Sequence, residues 1–424
     1  MKSSQVRAAP PESVDGEAPS IPSEPTRFER KRELILDAAT TLINQRGVKG
    51  MTFVEVAQQV KLNTASVTYY FRLKEQLAAA VFENTLGRLE AMVREAGAEA
   101  TPRERVARYL ELHFNLRARI RRGEERPIAV LSDMRALDEA VRGPLVQHYG
   151  AIFRELRAFF GPTSDEAHKA LQTARAQVLS ENVFWLPVWL GRYSISDYDR
   201  VRRRLMELFE HGMAPDDAVW DPGVLDLGEG AEAQDAGRLN FLRAATRLIS
   251  ERGYRGASVE RIALELKVTK GSFYHHMDAK DDLVLECFER SYERVSQAQR
   301  AADAAGGSQW RRLSSAIAAL LDIQFAGEWP LLRTTALQTL PSEVRPDVVE
   351  RSNRMALRFA GTLVDGISEG SIRAIDPMIA SQAIMSTLNA AYELHGWPAS
   401  WLRQRVVEVY ASALAHGLFD DRAI

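Results

Sequence analysis

An internal repeat constrains the fold of this chain more than any other feature of its sequence. Residues 35–77 align with residues 241–283 without a gap, at an offset of 206 positions. The aligned pairs include residue types that are hard to exchange, such as Gly47 with Gly253 and Ala57 with Ala263. The likeness then fades, although a His-Gly pair recurs near the end of each copy. Repetition on this scale predicts two units of similar fold in one polypeptide.

Length and spacing together predict the domain organisation. A chain of 424 residues exceeds what one hydrophobic core usually organises, so at least two domains are expected. An acidic stretch between the units is predicted to be a flexible linker, with an irregular segment packed on one unit as the alternative. The predicted parts are a disordered tail (1–26), two small heads (27–90 and 236–296), two larger helical domains (91–212 and 297–424) and the linker (213–235).

Composition excludes several classes of protein. Cys287 is the one cysteine, so neither an internal disulfide nor a multi-cysteine zinc site is available. No run of about 20 apolar residues occurs, which argues against a membrane span. A net charge of −2 does not by itself indicate a nucleic-acid binder, so any DNA-binding face must concentrate the basic residues. We expect a cytoplasmic, nucleoid-associated protein without a cofactor or a metal.

A helix-turn-helix is predicted near the start of unit one. Apolar residues recur at helical spacing over 28–45, and Gly47 follows where that helix should end. Thr52 is the expected N-cap of a short helix, and Thr64 is the expected cap of a second one after the turn 61–63. The second helix of such a pair can enter a DNA major groove, which is about 12 Å wide.

Unit two repeats these signals. Ser258 is the expected N-cap of its first short helix, and residues 269–276 form the second. Two copies with the same caps, glycines and small residues make a chance match far rarer than one copy would. The adjacent pair His275-His276 is not predicted to bind a metal, because neighbouring positions on a helix point about 100° apart.

The sequence of the second head resembles the tetracycline-repressor (TetR) family of regulators. The string TKGSFYHHMDAKDDL (269–283) resembles that family's recognition helix and the start of the next helix, and NTASVTYYFRLKEQL (63–77) is a looser copy. The resemblance implies an all-α fold with two tandem TetR-like units. Each unit would contain a three-helix, helix-turn-helix DNA-binding head and a helical bundle for ligand binding and dimerisation. It also implies a ligand-responsive transcription regulator, most simply a repressor, that binds double-stranded operator DNA.

The same resemblance implies which residues contact DNA. Hydroxyl and ammonium groups suit phosphate oxygens, whereas threonine and tyrosine can reach base edges. In unit one the implied residues are Asn63, Thr64, Ala65, Thr68, Tyr69 and Lys74, with the cap Thr52. In unit two they are Thr269, Lys270, Gly271, Tyr274, His275 and Lys280, with the cap Ser258. Because the two recognition helices differ in sequence, we expect an operator whose half-sites differ.

The larger domains are predicted to be helical throughout. The expected helices are 74–94, 103–120, 139–160, 165–189 and 196–211 in unit one, and 280–299, 309–325, 342–366, 377–395 and 398–416 in unit two. The resemblance implies that the last two helices of each unit pair into a four-helix bundle. We therefore expect unit one to pair with unit two inside the same chain as a pseudo-dimer.

Aromatic and methionine side chains in these helices predict a tentative pocket for a small apolar or amphipathic effector. Packing in the hydrophobic core is the alternative role for each of them. The pocket residues are His113, Phe114, Met134, Phe153, Trp185 and Trp189 in unit one, and Phe325, Trp329, Met355 and Tyr392 in unit two.

Two other functions compete with DNA-dependent regulation. An enzyme is disfavoured, because the sequence has no glycine-rich phosphate loop, no metal-ligand spacing and no Gly-x-Ser-x-Gly motif. A protein-interaction scaffold, or a regulator in which only the second head binds DNA, remains the alternative because the first recognition helix departs more from the family. A basic face that includes Arg27, Arg30, Lys31, Arg32 and Lys49 would favour a working first head.

Overall fold

The fold is a succession of α-helices in both units. The computed structural model describes residues 26–227, 236–276, 280–332, 345–397 and 400–423. Within these ranges the secondary structure consists of α-helices and short 3₁₀ segments without a strand, which confirms the predicted all-α class. No helix in these ranges is both long enough and apolar enough to span a membrane. Most of the predicted tail, and the predicted helix starts at 342–344 and 398–399, lie outside the described residues.

The described residues form sixteen helices, with the same order of eight in each unit. Unit one contains α1 (Arg27–Gly50), α2 (Phe53–Gln59), α3 (Thr64–Tyr70), α4 (Lys74–Gly97), α5 (Pro102–Arg122), α6 (Glu139–Arg157), α7 (Glu166–Trp189) and α8 (Tyr198–His211). Unit two contains α9 (Ala236–Gly256), α10 (Val259–Glu265), α11 (Lys270–His276), α12 (Lys280–Ala305), α13 (Gln309–Ala326), α14 (Arg345–Glu369), α15 (Pro377–Ala390) and α16 (Arg403–Ala415).

Several helix ends differ from the predicted boundaries. The predicted helices 139–160 and 377–395 both finish as 3₁₀ segments, Ala158–Phe160 and Ala391–Leu394. The helix predicted from residue 398 begins at Arg403. A 3₁₀ turn tightens the last turn of an α-helix and gives its final carbonyls partners, which periodicity alone does not reveal.

A glycine breaks the first helix of each head at the predicted place. Gly47 has a φ of 68° and Gly253 a φ of 71°, a left-handed conformation that favours glycine. Thr26 caps the start of α1 with a capping box. Its side chain accepts a hydrogen bond from the backbone N–H of Glu29, and the Glu29 carboxylate accepts one from the backbone N–H of Thr26. Head one (α1–α3) and head two (α9–α11) therefore have the same architecture.

One long helix connects each head to the larger domain behind it. The α4 helix packs on α1 of head one and on α5 and α6, while α12 packs on α9 of head two and on α13 and α14. Apolar residues from both ends of α4, including Leu77, Phe82 and Val93, belong to the same buried core. A shift of α4 or α12 in its larger domain would therefore reposition the attached head.

The last two helices of each unit pack into what we term the inter-unit bundle, formed by α7, α8, α15 and α16. Its buried contacts include polar bonds between the units. The Asn182 amide donates to Oγ1 of Thr387 at 3.3 Å, and the Ser386 hydroxyl donates to Oδ1 of Asn182 at 2.8 Å. Sliding one unit along the other would leave these buried groups without partners, so they fix the register of the bundle.

The ends of α8 and α16 meet through two glycines that the repeat relates, Gly212 and Gly417. Both have positive φ, 67° and 89°. A Cβ added at Gly212 would lie 2.3 Å from the Ala415 carbonyl oxygen, and one at Gly417 would lie 2.7 Å from that of Glu210. The repeated His-Gly pair of the sequence therefore lies where the backbones of the two units approach most closely.

The segment after α8 packs on unit two, so the prediction of a flexible linker is wrong for residues 213–227. Met213 donates its backbone N–H to Leu414 at 3.0 Å and accepts from Arg373 at 2.9 Å. The Trp310 indole donates to the Val219 carbonyl at 3.1 Å. The alternative, an irregular packed segment, describes these residues. The rest of the predicted linker, 228–235, lies outside the described residues.

Candidate DNA-binding heads and sensing region

The N-cap of the recognition helix of head one lies one residue before the predicted cap. Asn63, and not Thr64, is the N-cap of α3, and its Oδ1 accepts from the backbone and the hydroxyl of Ser66, both at 2.7 Å. Asparagine is a stronger N-cap than threonine, which explains the choice. Thr52 caps α2 as predicted, by accepting from the backbone of Glu55. The buried Val67 holds α3 against the rest of head one.

The turn before each recognition helix contains a lysine in a conformation that usually belongs to glycine. Lys61 and Lys267 each have a φ of 55°. After each lysine the next residue donates its N–H back to the small alanine of the preceding helix, at 2.9 Å in both heads. Both lysines are exposed. The sequence analysis did not single out these two lysines, although their identity at the repeat offset was a signal.

Most of the predicted DNA-contacting residues of head one lie on its surface. The exposed ones are Thr52, Asn63, Thr64, Ala65, Thr68 and Tyr69. Tyr69 is 75% exposed, although its ring edge meets Phe28 and Tyr70 at centroid distances of 6.3 and 5.4 Å. Lys74 is half-buried and donates to the backbone carbonyl of Lys49 at 2.9 Å, so it also links α4 to the end of α1.

Head two exposes the corresponding surface. Thr269, Lys270, Gly271 and Tyr274 are exposed, whereas Ser258 and Lys280 are half-buried. The Lys270 ammonium pairs with Glu260 at 2.5 Å, and that bond lowers the pKa of Glu260 to about 2. The side chain of His275 lies outside the described residues. A DNA phosphate would compete with Glu260 for Lys270.

The recognition region of head one has a slightly larger excess of basic side chains than that of head two. Residues 52–74 contain three basic and one acidic side chain, whereas residues 258–280 contain four basic and three acidic ones. The start of α1 adds Arg27, Arg30 and Arg32, all exposed, with Lys31 half-buried and Lys49 exposed at its far end. Over the repeat-related ranges 30–74 and 236–280, however, both heads contain five more basic than acidic residues, so net charge does not distinguish them.

The predicted pocket residues of unit one do not converge on one cavity. His113, Phe114, Met134, Trp185 and Trp189 are buried, and Phe153 is partly buried. Their neighbours differ, because Phe114 packs against Tyr198, Trp189 against Tyr193, and His113 against Tyr109. Met134 lies in a 3₁₀ segment beside the heads.

The unit-two residues are also spread out. Phe325 meets Tyr410 of the inter-unit bundle at 5.4 Å, and Tyr392 stacks on His395 at 4.5 Å. Trp329 lies under the guanidinium groups of Arg243, from α9, and Arg290, from α12. Met355 lines a cleft of about 660 Å³ between α9, α12 and α14. That cleft is bordered by charged side chains, among them Arg238, Glu286, Glu289, Arg351 and Arg354, and is not an apolar pocket.

A 3₁₀ segment of unit one, Leu131–Ala136, contacts the first helix of both heads, and we term it the bridging segment. Its buried Asp133 accepts from the backbone N–H of Val48 in α1. Its Arg135 donates to the Ser250 carbonyl in α9 at 2.7 Å and pairs with Glu393.

Just before this segment, the Asn44 amide of α1 bonds the backbone of Ile128 and Val130, at 3.0 and 2.9 Å. Asn44 and Ser250 occupy the same position of the repeat. Equivalent sites in the two heads are therefore fixed to one short stretch of chain. Sequence reasoning missed it, and the only signal was a charged pair, Asp133 and Arg135, inside an otherwise apolar stretch.

Comparison with known proteins gives the family of each head. Residues 35–81 and 241–287 match the family described as bacterial regulatory proteins, tetR family. Residues 306–418 match the tetracyclin repressor-like C-terminal domain. Together these matches cover both helix-turn-helix heads and the larger domain of unit two.

Individual relatives match over part of the chain. The regulator BetI of Rhizobium meliloti (strain 1021) is 35% identical over 97 residues, which are 23% of this chain and 46% of BetI. The repressor DhaR of Mycobacterium sp. (strain GP1) is 25% identical over 174 residues, which are 40% of this chain and 82% of DhaR. The chain thus spans about half the length of the BetI protein it matches. A solved structure of AibR with isovaleryl coenzyme A and operator DNA has a TM-score of 0.37 and 20% identity, over 42% of this chain and 97% of AibR.

Proposed function

Because the chain belongs to the tetR family of bacterial regulatory proteins, with two DNA-binding domains of that family in tandem, we propose that it is a sequence-specific transcription regulator. It acts as a ligand-responsive repressor, and its two units form a single-chain pseudo-dimer on an operator with two different half-sites. The family is one of regulators and not of enzymes. The observation that carries the proposal is the pair of exposed recognition helices, α3 and α11, in heads of the same architecture.

Both heads are proposed to bind DNA. Their exposed hydroxyl, amide and ammonium groups lie on the helix that would enter the major groove, and the lysines of the turns lie beside it. The basic start of α1 supports a working head one over the alternative in which only head two binds. Because Thr68 of head one stands where head two has Tyr274, the two helices would prefer different base sequences.

The inter-unit bundle supports the pseudo-dimer. Hydrogen bonds such as that of Asn182 to Thr387 connect the units as a homodimer interface would connect two chains. A tether holds the partner at roughly millimolar effective concentration, so pairing does not depend on how much protein the cell makes. The two recognition helices would then contact half-sites about 34–36 Å apart, one turn of DNA.

The bridging segment offers a route from a ligand to both heads. A ligand changes DNA affinity only through its different affinity for the arrangements that bind DNA and those that do not. Since Asp133 and Arg135 hold α1 and α9 respectively, a displacement of Leu131–Ala136 would move both recognition helices together. A small apolar or amphipathic effector is the proposed ligand class.

DNA binding by the full chain tests the proposal. We would measure affinity for the DNA upstream of its own coding region at two salt concentrations, with Tyr69→Ala, Tyr274→Ala and the control Leu402→Ala. Leu402 is 83% exposed and lies far along the chain from both heads, so its truncation should change nothing. We expect salt-sensitive binding that both tyrosine variants weaken.

Other outcomes separate the alternatives. If only Tyr274→Ala loses DNA affinity, then only head two binds DNA. If the chain shows no specific binding at either salt concentration, the proposed regulator function is contradicted and a protein-interaction scaffold is favoured. To test the half-sites, the affinity of the chain for its operator is compared with its affinity for two palindromic DNA duplexes. Each palindrome contains one of the two half-sites twice. The asymmetric operator should bind more tightly than either, and a palindrome that binds equally well would contradict the claim of different half-sites.

A further inference from the structure

Two side chains one turn apart on α5, His113 and Arg117, contain buried nitrogen atoms without a hydrogen-bond partner. His113 is 0% exposed, and neither of its ring nitrogens has a hydrogen-bond partner. Arg117 reaches the surface in part, but its Nε is buried and unbonded, and no described carboxylate forms an ion pair with it. Buried polar groups are nearly always bonded in folded proteins, so such a pair indicates a partner that comes from outside the chain.

The local electrostatics make the absence of an anion costly. Burial lowers the pKa of His113 to about 3, and burial together with the nearby Arg88 lowers the pKa of Arg117 to about 10. His113 is therefore neutral near pH 7, while Arg117 remains a cation. Arg88 already has its own carboxylate, Glu125, at 3.1 Å. A cation that faces another cation inside a protein lacks the compensation that buried charges need.

Unit two provides an internal comparison. The helix that corresponds to α5 is α13, and one of its buried polar residues is Gln324, which is also 0% exposed. Its amide donates to the Leu388 carbonyl at 2.8 Å, and its oxygen accepts from the Leu331 N–H at 2.9 Å. A buried polar side chain of α13 is thus satisfied by the protein itself, whereas His113 of α5 is not.

The neighbours of the pair are aromatic and connect to the inter-unit bundle. The Tyr109 ring lies 4.5 Å from the His113 ring, and the Phe114 ring lies 6.1 Å from that of Tyr198. Tyr198, which begins α8, lies close enough to Arg117 to interact with its charge. A ligand at this pair would therefore lie between α5 and α8, at the edge of the helices that join the units.

We propose that unit one binds a small organic anion, whose carboxylate pairs with Arg117 and hydrogen-bonds His113 while its apolar body lies against Tyr109. This inference rests on the proposed ligand-responsive function and gives the chemistry of its ligand. Because the site is closed, entry of the ligand separates α5 from α8. That separation changes the contacts of α8 with α15 and α16, which gives the ligand an effect on the arrangement of the two units.

The stability of the ligand-free chain is the first test. Arg117→Met removes an uncompensated charge and keeps most of the side-chain volume, so the Tm should rise by about 2–4 °C. A structural arginine would give the opposite sign. The matched control is Arg119→Met, two residues along α5, whose exposed guanidinium pairs with Glu125 at 3.5 Å and whose loss should give no rise. A fall in Tm with Arg117→Met would overturn the proposal.

Ligand probes are the second test. Millimolar benzoate should raise the Tm of the full chain and of Arg119→Met, whereas benzyl alcohol, its uncharged counterpart, should not, and Arg117→Met should not respond. If inorganic phosphate raises the Tm and benzoate does not, the claim that the ligand has an apolar body is wrong. If benzoate and benzyl alcohol raise the Tm equally, or if neither raises it, the claim that the ligand is an anion is wrong. These measurements contain no DNA, so their failure is distinct from a failure of operator binding.

Discussion

Adding one methyl group at Gly212 should disrupt the contact between the units. In Gly212→Ala the new Cβ would lie 2.3, 2.5 and 2.6 Å from backbone atoms of Ala415 and His416 in unit two. Backbone atoms cannot swing aside as a side chain can, so the ends of α8 and α16 must separate. Their separation breaks the bonds from Met213 and Ala214 to the last turn of α16, which are 3.0 and 2.9 Å long.

The magnitude follows from three contributions. Positive φ costs an alanine about 1–3 kcal/mol at any such site. Overpacking adds about 1–3 kcal/mol, and the two lost hydrogen bonds add about 1 kcal/mol each. Gly161 isolates the first contribution, because its φ of 98° is also positive and an added Cβ would have nothing within 4 Å. Gly212→Ala should therefore lower the free energy of unfolding by about 3–5 kcal/mol more than Gly161→Ala does.

Urea unfolding followed by circular dichroism measures this difference, with Gly417→Ala as a repeat-related second variant. Its Cβ would lie 2.7–2.8 Å from backbone atoms of Phe209 and Glu210, so it should also exceed the Gly161→Ala cost. Equal costs for Gly212→Ala and Gly161→Ala would refute the reasoning, because they would mean that α8 and α16 do not hold this contact in solution.

Three further predictions follow from the heads, the bridging segment and the buried histidine. Lys61→Gly and Lys267→Gly should each raise the free energy of unfolding by about 1 kcal/mol, because glycine adopts a positive φ without strain. In a binding titration both variants should lower the DNA affinity and its salt dependence. An unchanged DNA affinity would mean that the lysines do not contact DNA. Arg135→Met should speed hydrogen exchange in α9, and Asp133→Ala should speed it in α1; equal effects of either variant on both helices would contradict separate anchoring. For His113, the folded pKa of about 3 lies below the unfolded value near 6.5, so stability falls as the pH drops below about 6.5. Between pH 6.5 and 5 the loss of stability is about 2 kcal/mol. The urea concentration at the unfolding midpoint should therefore fall over this pH range in the native chain but not in His113→Phe. The same pH dependence of the midpoint in both proteins would contradict a neutral, buried His113.

The sequence predicted what local physics determines. The glycine break at Gly47, the cap at Thr52 and the all-α class depend on residues within a few positions of each other, and the repeat supplied a second copy of each signal. The predicted cap of α3, Thr64, is wrong by one residue because Asn63 and Thr64 can both cap and asparagine is the stronger of the two. The residues expected to contact DNA are where a recognition helix would present them, and their contacts stay predictions.

The sequence could not predict contacts between distant segments. Acidic residues among glycine and proline are typical of a linker, but Trp310 and Ser315, about 90 positions later, bind the backbone at Val219 and Gly223. The neighbours of the aromatic pocket residues could not be predicted for a related reason, because helical periodicity shows which residues are buried but not which neighbour buries them. The bridging segment depends on Arg135 meeting Ser250 across 115 positions, which no local pattern reveals.

Fusion of the two units lets each acquire a property that a homodimer would have to carry twice. In a homodimer, an uncompensated cation such as Arg117 would occur in both subunits and its destabilisation would double. Here it occurs once, while the buried Gln324 of the corresponding helix in unit two is bonded through both its amide nitrogen and its oxygen. The bridging segment likewise belongs to unit one, yet Arg135 holds the first helix of head two. The asymmetry therefore places the proposed ligand site and the connection between heads in unit one, so one bound anion would suffice to move both recognition helices.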